Sequence, residues 1–354
     1  EDDGGANITH YIMQVYSNVA EFGPFHRNVS STGIAVSGLL DEIPFAKTTP
    51  YTVESVACNS LGCNAQSCTS STAASSLQLK KVTVTSSSWA DLKSALTSDM
   101  SSLSSAASML WVDIDATNLA SVPTYIIDAT IKVGASTTQN GGNVGIVCHK
   151  NLTITGKVSQ DGLRPKISGN NQFRIFEVYD NAILRVAHIE FTKGYHNYEH
   201  NGIGSIAHVS KALAFSALDC LFSSSRSSGY NANGGALILD TTDVAIVSST
   251  FSGNTADGNS GKYSGGGAIM VGGGTKLHLV QTEFKDTNKA NTGNGHDIYI
   301  RAGDAVVDIV NDPGTNKARV TQQANLGGVG VSTCSNHANV CQDTEFGSLF
   351  KTVP

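Results

Sequence analysis

The segment TDVAIVSSTF, residues 242–251, is one of four related stretches that decide the fold. The other three are NAILRVAHIEF (181–191), KALAFSALDCLF (211–222) and TKLHLVQTEF (275–284). Each stretch ends in a phenylalanine, and these residues, Phe191, Phe222, Phe251 and Phe284, are spaced 31, 29 and 33 positions apart. Recurrence at such a period indicates a repeat architecture. Because apolar residues alternate within each stretch, the repeated unit is a strand, and the chain is predicted to form coils of β-structure.

Aligning the four stretches on their phenylalanines brings residues of similar character together. Two columns lie seven and five positions before the phenylalanine, and a third lies two positions before it. The one-residue shift between the second and third columns predicts two strands that meet at a bend. In a parallel stack the inward columns fill the core. The columns are Leu184, Phe215, Val244 and Leu277; Val186, Ala217, Ile246 and Leu279; and Ile189, Cys220, Ser249 and Thr282.

Glycine pairs mark the start of two repeats, at Gly234-Gly235-Ala-Leu and, 32 residues later, at Gly266-Gly267-Ala-Ile. A paired glycine suits a sharp entry from a loop into a strand, where positive φ or a close backbone approach is required. Asn254, three residues after Phe251, completes an FxxN motif. An asparagine in that position suits a polar ladder or a left-handed turn.

GGA[ILV] together with FxxN resembles the repeat of the polymorphic outer membrane proteins. That family belongs to the wider pectin-lyase-like class of right-handed parallel β-helices. The resemblance covers residues 190–300 by motif and residues 109–190 by pattern, and FxxN occurs once. It implies an all-β fold with a right-handed parallel β-helix, and a surface-exposed, adhesin-like role.

Residues 1–70 resemble part of a fibronectin type III domain, through DGGANITHY (3–11) and YTVESVACNSLG (51–62). The match covers about the last two-thirds of such a domain and therefore implies an incomplete β-sandwich. Residues 71–108 are predicted to form a linker and a helix that Ser88 caps and that covers the first coil. The β-helix is predicted over 109–310, and an irregular, cysteine-containing tail over 311–354.

Composition favours an extracellular or cell-surface location. Charged residues make up 15% of the chain, against about 25% in ordinary domains. The net charge of -6 has no basic patch set against it, which argues against a nucleic-acid partner. No apolar run approaches the roughly 18 residues that a membrane-spanning helix needs. The chain begins at Glu1, and we expect it to be a segment of a longer protein.

Five cysteines in polar segments are candidates for disulfides if the protein is exported; reduced thiols are the alternative. They are Cys58, Cys63, Cys68, Cys334 and Cys341. The spacing of the first three has no fourth ligand nearby, so a zinc site is not predicted. The other two cysteines, Cys148 and Cys220, lie in apolar strands and are expected to pack in the core.

One polar cluster could carry chemistry: His188, Glu190, His196, Glu199, His200 and His208. Stacking places Asp219 beside His188 and Leu221 beside Glu190. A calcium-dependent polysaccharide lyase or hydrolase could use Glu190, Asp219 and Arg185 as metal-binding carboxylates and base. The plainer interpretation is a solvated outer face with one His–Asp contact, without cofactor or metal.

Glycine-rich loops after each phenylalanine are the remaining functional candidates, and they are predicted to emerge on one side of the coil. Aromatic residues in such loops suit contact with carbohydrate or protein. We therefore expect a non-catalytic adhesin-like protein that binds carbohydrate or a surface protein; a lyase and a structural spacer are the alternatives. The loops are 192–203, 223–233, 252–265 and 285–296, and their tyrosines are Tyr195, Tyr198, Tyr230 and Tyr263.

Overall fold

A computed structural model describes two compact units, of which the larger comprises residues 80–102 and 109–336. In the smaller unit the strands described form one antiparallel sheet, considered below by itself. The residues described are 8–17, 25–30, 51–59, 62–63, 68–71, 79–98, 109–119, 121–133, 143–159, 163–179, 181–197, 204–258, 265–285, 287–291, 295–301, 304–310, 318, 320–322 and 330–334.

The larger unit is a right-handed parallel β-solenoid, which confirms the predicted fold class. From β10 onward, successive strands along the chain belong to different sheets, and strands of neighbouring coils pair in parallel. Sheet 1 consists of β9 (Ile131–Val133), β10 (Val144–Cys148), β13 (Arg174–Val178), β17 (Ala207–Ser210), β21 (Leu237–Asp240), β25 (Ile269–Val271), β29 (Ile298–Ile300) and β31 (Val320–Gln322). Sheet 2 consists of β6 (Leu79–Val84), β7 (Met109–Asp115), β11 (Asn151–Lys157), β14 (Ile183–Ala187), β18 (Ala214–Leu218), β22 (Asp243–Val247), β26 (Lys276–Val280), β30 (Val306–Val310) and β32 (Gly330–Cys334).

Two further sheets complete the coil. Sheet 3 consists of β8 (Thr124–Ile126), β12 (Lys166–Ser168), β15 (Glu190–Thr192), β19 (Leu221–Ser223), β23 (Thr250–Ser252) and β27 (Glu283–Phe284). Sheet 4 consists of β16 (Tyr195–Asn197), β20 (Arg226–Gly229), β24 (Thr255–Gly258) and β28 (Lys289–Ala290). From β13 to β28 the chain passes through sheets 1, 2, 3 and 4 in turn before it begins the next coil.

Register in sheets 2 and 3 is the one that the alignment on phenylalanine predicts. Leu184 pairs with Phe215, Phe215 with Val244, and Val244 with Leu277. The four phenylalanines follow one another in sheet 3. Each of them is at most 1% exposed, so the predicted inward columns do form the core.

The phenylalanine rings form one continuous stack inside the solenoid. Ring centroids lie 5.7 Å apart between Phe191 and Phe222, 4.7 Å between Phe222 and Phe251, and 5.0 Å between Phe251 and Phe284. The last two pairs are nearly parallel, at 9° and 6°. Phe176 of sheet 1 meets the edge of Phe191 at 5.4 Å and ends the stack. Offset stacking adds to the free energy gained from burial alone.

Most of the described corners of the coil contain a residue in the left-handed backbone region. This conformation turns the chain sharply while the flanking strands remain in their sheets. Most of these residues are not glycine, which the sequence analysis did not anticipate. They are Asn181, Lys211, Thr241 and Gly274 between sheets 1 and 2; His188, Asp219, Ser248 and Gln281 between sheets 2 and 3; Lys193, Ser224 and Gly253 between sheets 3 and 4; and Gly204, Gly234, Gly266 and Gly295 between sheets 4 and 1.

Thr241 is the least suited of these corner residues, because a β-branched side chain is strained at its φ of 51°. We expect Thr241→Asn to raise the free energy of unfolding by about 1 kcal/mol, since asparagine tolerates this conformation. Thermal unfolding should then occur about 2 to 4 °C higher. The same substitution at Thr250, inside strand β23, should not stabilise the protein. A lower unfolding temperature for Thr241→Asn would contradict the account of the corner.

The glycine pairs serve two different purposes, as their position predicted. Gly234 and Gly266 have φ of 57° and 70° and make the turn. Gly235 and Gly267 allow a close approach: a Cβ atom on Gly235 would lie 2.6 Å from the backbone nitrogen of Thr255. Gly295 has φ of 62° and extends the series by one coil, although His296 follows it in place of a second glycine.

Asn254 belongs to a buried polar ladder, one of the two arrangements predicted for it. Its Nδ2 donates to the carbonyl oxygen of Phe222 at 2.9 Å and to Oδ1 of Asn288 at 3.1 Å. Asn288 continues the ladder by donating from Nδ2 to the carbonyl oxygen of Phe251 at 3.0 Å. In the preceding coil the backbone nitrogen of Ser225 donates to Oδ1 of Asn254 at 3.3 Å. The ladder hydrogen-bonds polar groups inside the coil that would otherwise be costly to bury.

One helix, α1 (Trp89–Leu96), packs against the first coil, through β7, β8 and β9. Ser88 caps it as predicted, with Oγ accepting a hydrogen bond from the backbone nitrogen of Ala90 at 3.1 Å. Leu92 and Leu96 are buried, and Nε1 of Trp89 donates to Oδ1 of Asp128 at 2.8 Å.

The solenoid continues past the boundary predicted at residue 310. β31 pairs in parallel with β29, and β32 with β30, so sheets 1 and 2 extend into the segment predicted to be irregular. This segment lacks a phenylalanine at the repeat position, which is why the period was not recognised there.

The smaller unit contains an antiparallel sheet with the order β2-β1-β3-β4, and β5 also pairs with β3. Its strands are β1 (Ile8–Ser17), β2 (Phe25–Ser30), β3 (Tyr51–Asn59), β4 (Gly62–Cys63) and β5 (Cys68–Ser71). The backbone register sets Cys58 opposite Cys63. Cys341 and the side chains of the other candidate disulfide cysteines lie outside the described residues, so their pairing stays a prediction.

Candidate functional site

Sheet 4 occupies segments that the sequence analysis predicted to be loops. β16, β20, β24 and β28 lie within 192–203, 223–233, 252–265 and 285–296, and they pair in parallel. Small or polar residues fill the inward positions: His196 is 3% exposed, Ser227 and Ala256 are 0% exposed, and Ala290 is 2% exposed. A strand without large apolar residues gives little period-two signal, so the prediction of loops was wrong for these residues.

The outward side chains of sheet 4 form an accessible polar surface, which we call the sheet 4 face. The hydroxyl groups of Tyr195 and Ser228 lie 3.2 Å apart across two coils. Arg226 forms an ion pair with Asp257, and Nδ2 of Asn291 donates to the same carboxylate. The complete set is Tyr195, Asn197, Arg226, Ser228, Thr255, Asp257, Lys289 and Asn291, in register over four coils.

Two of the four predicted ligand-binding tyrosines lie at this surface. Tyr195 starts β16 and is partly exposed, and Tyr230 follows β20 and is 58% exposed. Tyr198 and Tyr263 lie outside the described residues. Asn197, Ser228 and Asp257 were not singled out from the sequence, because their importance depends on the unpredicted register of sheet 4.

The outer face of sheet 1 and the outer face of β7 and β11 in sheet 2 are much less accessible. In sheet 1 the outward residues Ile238, Met270 and Tyr299 are at most 2% exposed. In sheet 2, Trp111 and Thr153 are at most 3% exposed. The chain therefore covers the outer face of sheet 1 and the start of sheet 2, which excludes them as open binding surfaces, whereas the outward residues Ser216 of β18 and Ala245 of β22 are partly exposed. The sheet 4 face has no such cover over its described polar residues.

The predicted contact between His188 and Asp219 is confirmed. Nδ1 of His188 lies 3.0 Å from Oδ2 of Asp219, at the corner between sheets 2 and 3. Arg164 also pairs with this carboxylate, and its Nε donates to the carbonyl oxygen of Asp219 at 2.9 Å. Although partial burial acts to raise it, hydrogen bonds from His188 and Arg164 lower the pKa of Asp219. The carboxylate of Asp219 is therefore a stable anion that lies between the imidazole of His188 and the guanidinium of Arg164.

Glu190 and Arg185 do not join this corner in one site. Glu190 pairs with Leu221 in register, as predicted, and its carboxylate lies 2.8 Å from Nζ of Lys166. Arg185 is only 8% exposed on sheet 2, and its Nη1 lies 4.0 Å from Sδ of Met109. Both carboxylates proposed for calcium are thus already paired with cations, and the proposed base is buried.

The remaining histidines of the predicted cluster are dispersed. His196 points into the core from β16, and His208 lies on β17 of sheet 1. Glu199 and His200 lie outside the described residues. In the part of the chain that the structure describes, no three His, Cys, Asp or Glu side chains converge as a metal ion would require.

Cys148 and Cys220 are free thiols inside the solenoid, as their apolar surroundings predicted. Both are at most 2% exposed. Burial raises the pKa of Cys220 to about 12, so the nucleophilic thiolate is not formed near neutral pH.

No protein family, curated protein or solved structure was found to match this chain. Among the described residues, no helix has the length and apolar character required to cross a membrane.

Proposed function

We propose that this chain is a non-catalytic, adhesin-like protein of the cell surface or extracellular space, which binds carbohydrate through the sheet 4 face and Tyr230. The observation that supports the proposal is the row of exposed and partly exposed polar side chains in register over four coils, which includes Tyr195 and has Tyr230 beside it. Parallel strands lie about 4.8 Å apart, so this row offers hydrogen-bonding groups at regular intervals along the solenoid.

Carbohydrate is favoured over protein by the chemistry of the sheet 4 face. A protein interface usually has an apolar core around which polar groups form a rim. The described large apolar residues that are most exposed, Ile126, Leu163 and Leu213, lie outside sheet 4. Asn, Ser, Thr and Asp side chains can exchange hydrogen bonds with sugar hydroxyls, and a tyrosine ring can pack against the apolar face of a sugar.

We also propose that the solenoid belongs to the pectin-lyase-like class of the polymorphic outer membrane protein type, and that residues 1–70 derive from a fibronectin type III domain. The positive φ of Gly234 and Gly266 and the ladder through Asn254 give the repeat motifs a structural role. The antiparallel pairing of β1 with β3 is consistent with part of a sandwich.

Binding should depend on Tyr230. A glycan array identifies a ligand, and titration calorimetry then compares the wild type with Tyr230→Ala and Asn197→Ala. We expect Tyr230→Ala to weaken binding about tenfold, which corresponds to about 1.4 kcal/mol. Because the residue is 58% exposed, the free energy of unfolding should change by no more than about 0.5 kcal/mol.

Two matched controls locate the binding surface. Leu213→Ala removes another exposed side chain, 52% exposed, from the corner between sheets 1 and 2. Glu190→Ala removes an outward side chain from sheet 3. Both variants should bind like the wild type. Loss of binding in Glu190→Ala alone would move the site to sheet 3, and absence of any glycan ligand would favour a structural spacer.

A further inference from the structure

A buried polar cluster on the outer face of sheet 1 lies apart from the sheet 4 face. Glu177 of β13 and His208 of β17 pair in register and are 0% and 8% exposed. Oε1 of Glu177 accepts hydrogen bonds from Nη1 of Arg174, at 2.8 Å, and from the hydroxyl of Tyr179. Nδ1 of His208 lies 3.5 Å from the same oxygen, beyond the usual length of an N–H···O hydrogen bond.

Several other groups face His208 from the neighbouring coils. The ring of Tyr179 lies between two imidazoles, 5.8 Å from His149 and 5.7 Å from His208. Asp240, at the end of β21, interacts electrostatically with His208 and with Arg301, which follows β29. Arg174 is fully buried, and its Nε donates to the carbonyl oxygen of Gly204 at 2.8 Å.

The charge balance of this cluster is complete while the imidazole is neutral. Arg174 and Glu177 form one ion pair. Oε1 of Glu177, which accepts from Arg174, also accepts a hydrogen bond from the hydroxyl of Tyr179. A proton on His208 adds a second buried cation next to Arg174. Glu177 is already neutralised by Arg174, and Asp240 lies diagonally across the sheet from His208, because His208 pairs with Ile238 and Asp240 pairs with Ser210. An added charge at a buried site without a partner of its own is costly.

The titration behaviour of the cluster agrees with this geometry. Burial lowers the pKa of His208 and outweighs the opposing attraction of the nearby Glu177 carboxylate. Although burial acts to raise it, the nearby imidazole of His208 and the charge of Arg174 lower the pKa of Glu177. Burial also raises the pKa of Asp240, against the attraction of His208 and Arg301. His208 is therefore neutral in the folded protein at neutral pH.

The direction of the pH effect follows from linkage. The pKa of His208 is lower in the folded state than the ordinary value of 6.5. Its contribution to stability is therefore complete above that value and is lost as the pH falls through the folded-state pKa. Asp240 has the opposite sign, because protonation of a carboxyl with a raised pKa favours the fold. Mild acid should thus act against the fold through His208.

We propose that His208 is an acid-sensitive switch in the outer face of sheet 1. Proton uptake by its imidazole opens the packing that covers Glu177 and His208, while the inward core of phenylalanines stays closed. This local opening is independent of the carbohydrate binding proposed above, because the two surfaces belong to different sheets.

Hydrogen exchange measured by mass spectrometry tests the switch in the full chain. Exchange is compared at about pH 7.5 and about pH 5.5 after correction for intrinsic rates. One proton taken up on opening raises the opening constant by up to about tenfold per pH unit. We expect this increase in peptides that cover β13, β17 and β21, and no comparable increase in peptides that cover β23 and its Phe251.

The decisive variant is His208→Asn, which should remove most of the acid-dependent increase. His278→Asn is the matched control, because His278 is 7% exposed on the outer face of sheet 2 and its loss should leave the increase intact. Asp240→Asn removes a nearby anion that raises the folded-state pKa of His208, and it should therefore enlarge the acid-dependent increase. An unchanged acid response in His208→Asn would overturn the proposal.

A second measurement decides the case even if His208→Asn does not fold. Nitrogen-15 imidazole spectra of the wild type give the pKa of each histidine in the folded protein. A His208 pKa below 6.5, together with loss of protection in β17 over the same pH interval, supports the switch. A pKa of 6.5 or higher, or titration without a change in protection, would refute it.

Discussion

Gly235→Ala is expected to lower the free energy of unfolding by at least about 3 kcal/mol. A Cβ atom at this position would lie 2.6 Å from the backbone nitrogen of Thr255 and closer still to the carbonyl oxygen of Gly267. Both are backbone atoms of the neighbouring coil, so no change of rotamer can relieve the clash. The backbone nitrogen of Gly235 also donates to the carbonyl oxygen of Gly266 at 2.9 Å, a contact that a displaced chain would lose.

Gly253→Ala provides the matched control. Gly253 also lies at a corner, with φ of 67°, but the nearest atom to an added Cβ would be 3.8 Å away. The substitution therefore costs only the left-handed strain of an alanine, about 1 to 2 kcal/mol. Urea unfolding of the two variants, monitored by circular dichroism, separates the cost of the steric clash from the cost of backbone strain. Equal midpoints for Gly235→Ala and Gly253→Ala would mean that the close approach of the coils does not matter.

Phe251→Ala is expected to cost about 3 to 5 kcal/mol, because it opens a cavity in the middle of the aromatic stack. The ring is 0% exposed and contacts Phe222 on one side and Phe284 on the other. Phe251→Leu keeps most of the volume but loses both stacking contacts, and should cost roughly 1.5 kcal/mol. Equilibrium unfolding in urea measures both values.

An exposed apolar residue serves as the reference for these substitutions. Leu213 is 52% exposed, and Leu213→Ala should change the free energy of unfolding by no more than about 0.5 kcal/mol. If Phe251→Ala were as mild as Leu213→Ala, the stacked rings would contribute little to stability. The order Phe251→Ala, Phe251→Leu, Leu213→Ala, from most to least destabilising, is the expected outcome.

The core of the solenoid could be predicted from sequence because its columns consist of large apolar residues at a fixed register. The alignment on Phe191, Phe222, Phe251 and Phe284 predicts the strand pairing that sheet 3 shows. Glycine pairs at the corner between sheets 4 and 1 were equally informative, since few other residues suit that backbone.

Sheet 4 and the continuation of the polar ladder could not be predicted in the same way. Ser227, Ala256 and Ala290 point inward but are too small to give a hydrophobic period. Asn288 follows Phe284 by four residues, whereas Asn254 follows Phe251 by three, and this single insertion hid their equivalence. The candidate binding surface was therefore predicted only as a general location, and its register and polar partners required the structure.

At the four corners, backbone hydrogen bonds connect each coil chiefly to the coils on either side. These bonds run along the long axis of the solenoid. A pulling force between the two ends of the solenoid would load those bonds lengthwise. The hydrogen bonds would break one coil after another, and each released coil of about 30 residues would lengthen the extended chain by about 100 Å. Such a molecule would yield gradually under tension, which suits a tether better than a rigid strut.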